Sequence, residues 1–319
     1  MKIYLVGGAI RDRLLGLPKH GADDHVVVGA TEDEFLARFP GAQRVGKAFP
    51  VYLADGAEYA FARRERKTGP GHRGFETVAD PSVTLVEDLK RRDLTINAIA
   101  QDLLTRELID PWGGRKDIAE KRLRHISDAF VEDPLRLYRV ARFAALLPDF
   151  TLEPATLELM KTLVPELDTL SPERVWTEGE RALAARAPWR FFTILRDVGA
   201  LPVHFPELHA LVGVTPGKGK CHEGEVDTFD HAMLLLRRLP GADPHLRFAA
   251  ICHDLGKGLT DPALLPKHHG HDKAGLPLVA ALCDRLKVPN SFRLAGELAA
   301  RYHMQGADLP ELKAGKAVT

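Results

Sequence analysis

Cysteine is scarce in this sequence, with three residues in 319, at Cys221, Cys252 and Cys283. A set this small and scattered excludes a disulfide framework and a four-cysteine zinc site, and it fits a reducing compartment. A charge of one sign is also lacking, because 44 Lys and Arg residues are balanced by 44 Asp and Glu residues. Zero net charge excludes a uniformly basic chain that coats nucleic acid, although local basic patches are compatible with it.

Long apolar runs are absent too, since none approaches the ~20 residues that span a bilayer. The apolar stretch Ile3–Val6 ends at the glycines Gly7 and Gly8, and it is too short for the core of a signal peptide. We therefore expect a cytoplasmic protein without membrane association. Its apolar content of 45% and charged content of 28% are those of a globular protein. The length predicts about two or three domains.

The hydrophobic pattern changes along the chain, and this change predicts an α+β fold. Up to about residue 143, short apolar runs alternate with turn residues, which indicates a small mixed sheet. Strands are predicted over Ile3–Val6, Val26–Val28, Val51–Leu53, Glu58–Ala62 and Leu108–Ile109. Helical spacing occurs in Ala9–Leu15, Glu32–Phe39, Pro134–Leu147, Pro154–Leu163, Glu173–Ala185 and Thr228–Leu236. A sheet-containing head is thus expected before an all-helical remainder.

A glycine pair, Gly7 and Gly8, lies between the first predicted strand and the first predicted helix. A glycine turn in this position lets a phosphate approach backbone N–H groups, and Arg11 can add a positive charge. The same residues also suit a tight strand-to-helix turn with a surface arginine. The pair alone leaves both interpretations open.

Carboxylates at the start of the second predicted strand would support the phosphate interpretation. Residues two apart on a strand share a face, so an Asp-x-Asp pair can hold Mg²⁺ for phosphoryl transfer. Here Asp23 and Asp24 are adjacent instead, and adjacent strand residues face opposite sides. The sequence therefore departs from the arrangement that this chemistry requires.

Together with motifs further along, these residues resemble a known family, the bacterial tRNA nucleotidyltransferases that add CCA and carry an HD domain. The similar segments follow the family's order and are Gly7–Asp12, Lys90–Ala98, Asp110–Gly114, Glu132–Phe143 and Ser171–Glu178. The resemblance implies a nucleotidyltransferase head over residues 1–143 and a helical neck and body that binds tRNA over residues 144–220. It also implies a helical HD domain over residues 221–319, shorter than expected for the family.

The resemblance further implies that the enzyme uses CTP, ATP and Mg²⁺. The residues that it assigns to nucleotide binding are Gly8, Arg11, Arg92, Asp133, Arg136, Arg139 and Arg142. Asp133 and Arg136 are one helical turn apart and can present an acceptor and a donor to the incoming base. Arginines repeated every three residues suit the phosphates of a nucleotide, because guanidinium groups bind them in a bidentate manner. Without the preceding Asp133, the same arginines would indicate only a solvated face.

The resemblance is incomplete at the catalytic metal site, where the family's first Asp falls on Ala22 and its second on Asp24. Three explanations stay open. A local register shift can bring Asp23 into place, the chain can be inactivated or altered, or Asp24 can act with Glu58, which resembles the family's third carboxylate. We predict Asp24 as the principal Mg²⁺ ligand, with Asp23 and Glu58 as further catalytic candidates.

A basic segment runs from Arg63 to Arg73 and contains several glycines. It fits the family's mobile loop beside the phosphoryl-transfer site and a contact with an RNA backbone. A merely solvated loop explains the segment equally well.

A second group of candidate residues lies in the last hundred positions. His253 and Asp254 are adjacent at the end of an apolar helical run, and His231 lies on an earlier predicted helix. Imidazole and carboxylate suit a divalent transition metal, and the spacing resembles HD-type phosphohydrolases. The resemblance implies Ni²⁺ or Mn²⁺ at these residues and hydrolysis of phosphomonoesters or 2′,3′-cyclic phosphates. The family's last Asp ligand is not evident, and His303 and Met304 lie near its expected position.

Two alternative functions stay open at this point. An A-adding enzyme or a poly(A) polymerase shares the head motifs, although the HD domain favours CCA addition by resemblance. If Ala22 disables the head, the chain would instead be a phosphohydrolase or an RNA-binding protein without nucleotidyltransferase activity. Both a monomer and a homodimer are compatible with the sequence.

Overall fold

The computed structural model describes residues 1–18, 23–46, 50–67, 75–217 and 226–307. These residues form two compact units. The first unit comprises Met1–Arg136 and Asp149–Leu163, and the second comprises Leu137–Pro148 and the described residues from Val164 onward. All strands of the described residues belong to the first unit, and the described part of the second unit is helical. The predicted fold class, a mixed-sheet head with a helical remainder, is confirmed.

The first unit is built on a mixed sheet. Its strands are β1 (Lys2–Val6), β2 (Asp24–Val28), β3 (Gln43–Val45), β4 (Val51–Ala54), β5 (Ala57–Phe61), β6 (Arg63–Lys67), β7 (Phe75–Ala79), β8 (Ala100–Asp102), β9 (Leu108–Ile109), β10 (Arg122–Leu123) and β11 (Thr151–Leu152). Seven of them form one sheet in the order β3-β4-β5-β2-β1-β8-β9, and β6 pairs with β7 and β10 with β11. Every strand predicted from the sequence is present. The strands that the sequence pattern did not predict are short or rich in charged residues.

Strand β2 is held at the centre of the sheet, between antiparallel β1 and parallel β5. Tyr4 and Val26 are opposite each other in register and belong to a core on one face of the sheet. The next residue, Val27, belongs to a second core with Phe35 and Tyr59. Because side chains alternate along a strand, these two cores cover opposite faces. Burial on both faces fixes β2, and with it the position of the residues at its start.

The basic segment that begins at Arg63 is partly a strand, so the prediction of a mobile loop was wrong for Arg63–Lys67. These residues pair with β7 in an antiparallel ribbon. The ribbon is also attached to the rest of the unit, because the backbone N–H of Arg63 donates to Oδ1 of Asp88 at 3.3 Å. Backbone pairing needs no apolar alternation, so hydrophobic periodicity cannot reveal such a strand. Residues 68–74, including Arg73, lie outside the described residues.

The helices are α1 (Gly8–Leu14), α2 (Glu32–Arg38), α3 (Leu85–Lys90), α4 (Gly114–Ala119), α5 (Leu135–Leu146), α6 (Pro154–Leu163), α7 (Pro172–Leu183), α8 (Trp189–Asp197), α9 (Leu201–His204), α10 (Pro206–His209), α11 (Thr228–Arg238), α12 (Pro244–Cys252), α13 (His271–Leu286) and α14 (Asn290–Ala307). The helices predicted from periodicity are present. None of the helices in the described part of the chain is long and apolar enough to cross a membrane.

Helix α3 starts with a capping box that fixes its first turn. The Thr84 hydroxyl accepts from the backbone N–H of Glu87, and the Glu87 carboxylate accepts from the backbone N–H of Thr84 at 2.8 Å. Such a cap stabilises a helix by about 1 kcal/mol. It also sets the orientation of Asp88, in the middle of the helix, and of Arg92, just beyond its end.

In the second unit, Arg247 of α12 is buried and ties this helix to its surroundings. Its guanidinium donates to the carbonyl oxygens of Leu183, Ala185 and Leu239. A buried arginine needs such acceptors, because each unsatisfied donor costs free energy. These bonds fix the helix that leads directly into His253 and Asp254.

Candidate functional site

The turn between β1 and α1 is shaped by Gly7, whose φ of +70° lies in the region that favours glycine. Its backbone N–H donates to the carbonyl oxygen of Ile99 at 3.1 Å. A Cβ on Gly7 would lie only 2.8 Å from Nη1 of Arg92. The glycine therefore supplies both the backbone conformation and the space that Arg92 occupies. At Gly8, which begins α1, a Cβ would make an ordinary contact of 3.5 Å with Arg11.

Arg11 lies in a buried polar chain rather than at an open surface. Its Nε donates to Oδ1 of Asp12 at 2.8 Å, and its Nη1 donates to Oδ1 of Asn97 at 2.6 Å. The Asn97 amide then donates to Oδ1 of Asp93 at 2.9 Å, which also accepts from the backbone N–H of Leu94. The chain joins α1 to the segment that follows α3. A triphosphate role for Arg11 stays a prediction.

Arg92 packs against the Gly7 turn and retains an unused donor. Its Nη1 lies 3.5 Å from the carbonyl oxygen of Asn97, its Nη2 lies 3.5 Å from Oδ2 of Asp88, and its Nε has no hydrogen-bond partner among the described residues. Burial lowers the pKa of Arg92, although the negative charges of Asp88 and Asp24 act to raise it. Asp24 is therefore within electrostatic range of this guanidinium. Long Nη contacts and a side chain that is 19% exposed leave Arg92 able to bind an incoming anion.

Asp88 organises the arginines of this region, and sequence reasoning missed it. The carboxylate is fully buried and accepts from Nε and Nη2 of Arg91 at 3.1 and 2.8 Å. Burial acts to raise the pKa of Asp88, but Arg91 and Arg92 outweigh it and hold that pKa below its ordinary value. The carboxylate therefore stays ionised and orients both arginines. In the sequence, this role could have been inferred from an aspartate that lies one helical turn before two arginines.

Two of the predicted carboxylates occupy opposite positions on neighbouring strands. Asp24 on β2 is directly in register with Glu58 on parallel β5, and both are exposed. Adjacent strands are about 4.8 Å apart and paired residues project to the same face, so the two oxygen ligands suit Mg²⁺. The carbonyl oxygen of the half-buried Asp23 accepts from the backbone N–H of Glu58 at 3.0 Å. Ala22 lies outside the described residues.

Asp23 does not complete a compact three-carboxylate group in the structure. Within the described ranges, no group of three that contains Asp23, Asp24 and Glu58 has its ligand oxygens within 4.8 Å of one another. Of the explanations left open by the sequence, the pairing of Asp24 with Glu58 is the one that this strand register favours.

The predicted base-reading residues lie at the start of α5. Oδ1 of Asp133 accepts from the backbone N–H of Leu135 at 3.1 Å. Arg136 is buried and donates to the carbonyl oxygens of Ala129 and, at 2.6 Å, Arg91. Arg91 immediately precedes Arg92 in the chain. Arg136 therefore connects the start of α5 to the segment that carries the predicted triphosphate ligand.

Arg139 and Arg142 belong to the second unit. The guanidinium carbon of Arg139 lies 6.0 Å from the ring centroid of Phe143, and that of Arg142 lies 4.1 Å from the same centroid. Arg142 also donates from Nε to the buried carboxylate of Glu178. This ion pair and the ring contact orient Arg142 within its own unit. The phosphate roles of both arginines stay predictions.

The predicted ligands of the second unit come together around a buried carboxylate. Asp254 is 2% exposed, and its Oδ2 lies 3.1 Å from Nε2 of His253 and 3.9 Å from Nε2 of His231. Lys257 also reaches Oδ2, with its Nζ at 2.8 Å, and donates to the carbonyl oxygen of Pro216. Burial acts to raise the pKa of Asp254, but the surrounding imidazoles outweigh it and hold that pKa well below its ordinary value.

Two further histidines, not nominated from the sequence, face the other oxygen of Asp254. Nε2 of His271 lies 3.3 Å and Nε2 of His303 lies 3.4 Å from Oδ1. This buried oxygen has no hydrogen-bond partner in the described part of the chain, so the group fits a cation. His271 can approach this closely because Gly256 has no side chain. A Cβ on Gly256 would lie 2.0 Å from the carbonyl oxygen of His271. In the sequence, the indication of a ligand role for His303 was its position near the place where the family's last Asp ligand is expected.

Family models match two segments of the chain. Residues 3–124 match the model of the poly A polymerase head domain. Residues 149–212 match the model described as a probable RNA and SrmB-binding site of polymerase A. The first match covers the Gly7 turn, both candidate carboxylates and Arg92.

Solved structures of CCA-adding enzymes resemble nearly the whole chain. The Bacillus stearothermophilus enzyme in complex with CTP is 27% identical, with a TM-score of 0.60, covering 99% of this chain and 82% of that one. A CCA-adding enzyme in complex with ATP is 25% identical, with a TM-score of 0.61, covering 97% of this chain and 67% of that one. The Thermotoga maritima enzyme complexed with tRNA is similar in fold, with 24% identity, a TM-score of 0.55 and coverage of 99% and 81%.

The head-domain match, the RNA-binding segment after it and the shared fold agree in their order along the chain. Together they show that the chain belongs to the nucleotidyltransferase family of the poly(A) polymerases and CCA-adding enzymes.

Proposed function

We propose that this protein adds CCA to the 3′ end of tRNA from CTP and ATP, with Mg²⁺ held by Asp24 and Glu58. The observation that carries the proposal is the register of β2 and β5, which sets these two carboxylates opposite each other, with Arg92 within electrostatic range of Asp24. The similar solved structures include CCA-adding enzymes in complexes with CTP, ATP and tRNA. A tRNA substrate would place the protein in the cytoplasm.

The proposed reaction is a nucleotidyl transfer. The oxygen of the tRNA 3′-hydroxyl forms a bond to the α-phosphorus of the nucleotide, and its proton passes to solvent. The bond from the α-phosphorus to the oxygen that bridges to the β-phosphate breaks, and pyrophosphate leaves with that electron pair. Mg²⁺ would supply charge neutralisation and activation of the hydroxyl. Arg92 contributes its guanidinium, whose Nη contacts are long, to the triphosphate.

We further propose that Asp133 and Arg136 select the base. Arg136 donates to the carbonyl oxygen of Arg91, next to the triphosphate ligand Arg92. A change in the hydrogen bonds of Arg136 on nucleotide entry would therefore act directly on the segment that positions Arg92. This link supports a coupling between base recognition and triphosphate placement.

The test is incorporation on a tRNA that lacks its 3′ CCA, with Mg²⁺ and with CTP alone, ATP alone or both. Two C residues followed by one A are expected. A-only addition to a tRNA that already ends in CC would identify an A-adding enzyme, and long A tails would identify a poly(A) polymerase. No incorporation by a protein that still binds CTP would overturn the proposal and make Ala22 the cause.

Matched variants address the carboxylates directly. Asp24→Asn and Glu58→Gln should each reduce incorporation about 100-fold or more, because loss of a metal ligand removes several kcal/mol of transition-state stabilisation. Asp55→Asn, in the exposed turn between β4 and β5, removes a nearby negative charge and should leave the rate unchanged. Equal rates in all three variants would contradict the assigned metal ligands.

A second activity is favoured by the group around Asp254. We propose that His231, His253 and Asp254 hold a divalent transition metal, Ni²⁺ or Mn²⁺, in a phosphohydrolase domain over residues 221–319, after a head over 1–143 and a tRNA-binding body over 144–220. The ligand atoms of these three residues lie within 4.8 Å of one another. His253→Ala should abolish hydrolysis of p-nitrophenyl phosphate and preserve nucleotide addition. Loss of both activities would contradict two independent sites.

A further inference from the structure

We propose that Asp243, His245 and Ser291 form an activated serine nucleophile that cleaves carboxylic esters with an apolar acyl group. The three side chains lie at the starts of α12 and α14, within the second unit. None of them belongs to the proposed nucleotide or metal sites. The inference therefore goes beyond the proposed function and does not rest on it.

Two hydrogen bonds connect the three side chains in series. Oδ1 of Asp243 lies 2.7 Å from Nδ1 of His245, and Nε2 of His245 lies 3.0 Å from Oγ of Ser291. A carboxylate only accepts, so the proton of the neutral ring is on Nδ1, and Nε2 accepts from the Ser291 hydroxyl. Both distances are those that join a nucleophile to its base and a base to the group that orients it. Such a triad is recognised by geometry and roles rather than by sequence position.

The imidazole of His245 is held in place on two sides. Asp243 caps α12, and its Oδ1 also accepts from the backbone N–H of His245 at 2.8 Å. The ring stacks on the buried Phe292, with centroids 3.9 Å apart and planes inclined by 20°. These contacts orient the base before a substrate arrives, which lowers the entropic cost of reaching the reactive geometry.

The start of α14 supplies donors for the negative charge that develops on an ester oxygen. The N–H groups of Phe292 and Arg293 donate to the carbonyl oxygen of Pro289. Those of Asn290 and Ser291 begin the helix and have no acceptor within it, as is general for a first turn. They are available to an oxyanion formed at Ser291, and the helix dipole adds to their effect.

The surroundings of the array indicate the class of substrate. The side chains of Asp243 and His245 are 68% and 41% exposed, so a compound can reach them from solvent. Leu246 and Leu294 are exposed as well, and Leu294 lies on the same side of α14 as Ser291, three residues later. Exposed apolar side chains beside the nucleophile favour an apolar acyl group over a charged one. On such an open surface, the reactivity of the ester decides which compounds react.

The proposed reaction consumes an ester and water and yields an acid and an alcohol. Oγ of Ser291 forms a bond to the carbonyl carbon, and its proton passes to Nε2 of His245. The bond from that carbon to the alkoxy oxygen breaks, and the alcohol leaves with the proton from Nε2. Water then attacks the acylated serine with the same base, the carboxylic acid is released, and Oγ regains its proton.

The test uses a covalent probe whose position on the chain can be read directly. Full-length protein is treated with diisopropyl fluorophosphate in the presence of a chelator, so that no metal site contributes, and the modified serine is located by peptide mass spectrometry. Oγ replaces fluoride on phosphorus, and His245 takes the proton. We expect the label on Ser291. Ser82, an exposed serine that hydrogen-bonds to Asp80, is the internal control and should stay unlabelled.

Variants separate an activated serine from a merely exposed one. His245→Gln should slow labelling about 100-fold, because a general base contributes at least that factor. Asp243→Asn keeps a residue that caps helices well and should slow labelling through loss of the carboxylate alone. His209→Gln, at another exposed histidine of this unit, should leave the rate unchanged.

A second measurement follows turnover. Hydrolysis of p-nitrophenyl butyrate by the same protein should disappear in Ser291→Ala and fall in His245→Gln in parallel with labelling. No label on Ser291 would overturn the proposal, and so would equal labelling rates with and without His245. Labelling without any turnover of the ester would overturn the hydrolytic reaction.

Discussion

Gly7→Ala is the change that most directly tests the proposed triphosphate site. Gly7 has a φ of +70°, and a Cβ added to it would lie 2.8 Å from Nη1 of Arg92. The substitution therefore has two separate consequences, strain in the turn and displacement of the guanidinium. We expect lower stability and weaker CTP binding.

The two consequences have different magnitudes. The φ of +70° and ψ of −128° at Gly7 lie outside the left-handed helical region, so this backbone conformation costs an alanine up to about 3 kcal/mol relative to glycine. Displacing Arg92 would remove a charge-assisted hydrogen bond to phosphate, a loss of about 2 kcal/mol and hence of roughly 30-fold in the dissociation constant for CTP.

Gly16→Ala is the control for a positive φ without a neighbouring side chain. Gly16 follows the same helix and has a φ of +64°, but a Cβ on it would meet nothing within 4 Å. Urea unfolding should show a loss of about 1 kcal/mol for Gly16→Ala and a larger loss for Gly7→Ala, because its ψ of −128° and the contact with Arg92 add strain. Calorimetric titration with CTP should show weaker binding for Gly7→Ala alone.

A double-mutant cycle completes the test. In an Arg92→Ala background, Gly7→Ala should cause no further loss of CTP affinity, because the group that it displaces is gone. Equal CTP affinity for the Gly7→Ala and Gly16→Ala variants would refute the placement of Arg92 at the triphosphate. So would a full additional loss in the Arg92→Ala background.

Three further changes probe the second unit by urea unfolding. Arg142→Ala leaves the buried Glu178 unpaired and should lower the free energy of unfolding by about 3–5 kcal/mol. The double variant Arg142→Ala/Glu178→Gln should recover part of this loss. If the effects of the two single variants simply added, this would argue against a stabilising ion pair. Burial lowers the pKa of His204 from 6.5 to about 4, so the unfolded chain binds a proton at a higher pH than the folded one. The free energy of unfolding should therefore fall by up to about 3 kcal/mol between pH 6.5 and pH 4. If His204→Gln showed the same pH dependence of this free energy, the assignment would be contradicted. Gly256→Ala brings a Cβ within 2.0 Å of the carbonyl oxygen of His271, so it should destabilise the unit and reduce bound Ni²⁺. Normal stability would exclude that close packing.

The parts of the fold that could be predicted are those with a local apolar pattern. Strands β1 and β2 combine β-branched residues with bounding turn residues, and both are buried on two faces by the cores around Tyr4 and Phe35. In α7 and α11, apolar residues recur at three- and four-residue spacing and are buried. In each case the residues that determine the element are neighbours in the sequence.

The parts that could not be predicted depend on contacts between distant residues. Strand β6 is rich in charge and forms through pairing with β7, which no apolar period records. His271 begins α13 and His303 lies near the end of α14, so their meeting at Asp254 follows from the packing of separate helices. A motif search over neighbouring residues therefore finds His253 and Asp254 but only half of the surrounding imidazoles.

The arginines of α5 show why spacing alone does not fix a role. Their three-residue period predicts a common face, yet Arg136 binds two backbone carbonyl oxygens and Arg142 binds the carboxylate of Glu178. A buried guanidinium carries five N–H donors that must find acceptors, so each arginine is committed to the acceptors that its own surroundings offer. For Arg136 one of those acceptors is the carbonyl oxygen of Arg91, beside Arg92. The residue predicted to read the base is thus hydrogen-bonded to the backbone beside the residue predicted to hold the triphosphate, and we propose that this contact couples selection of the base to its chemistry.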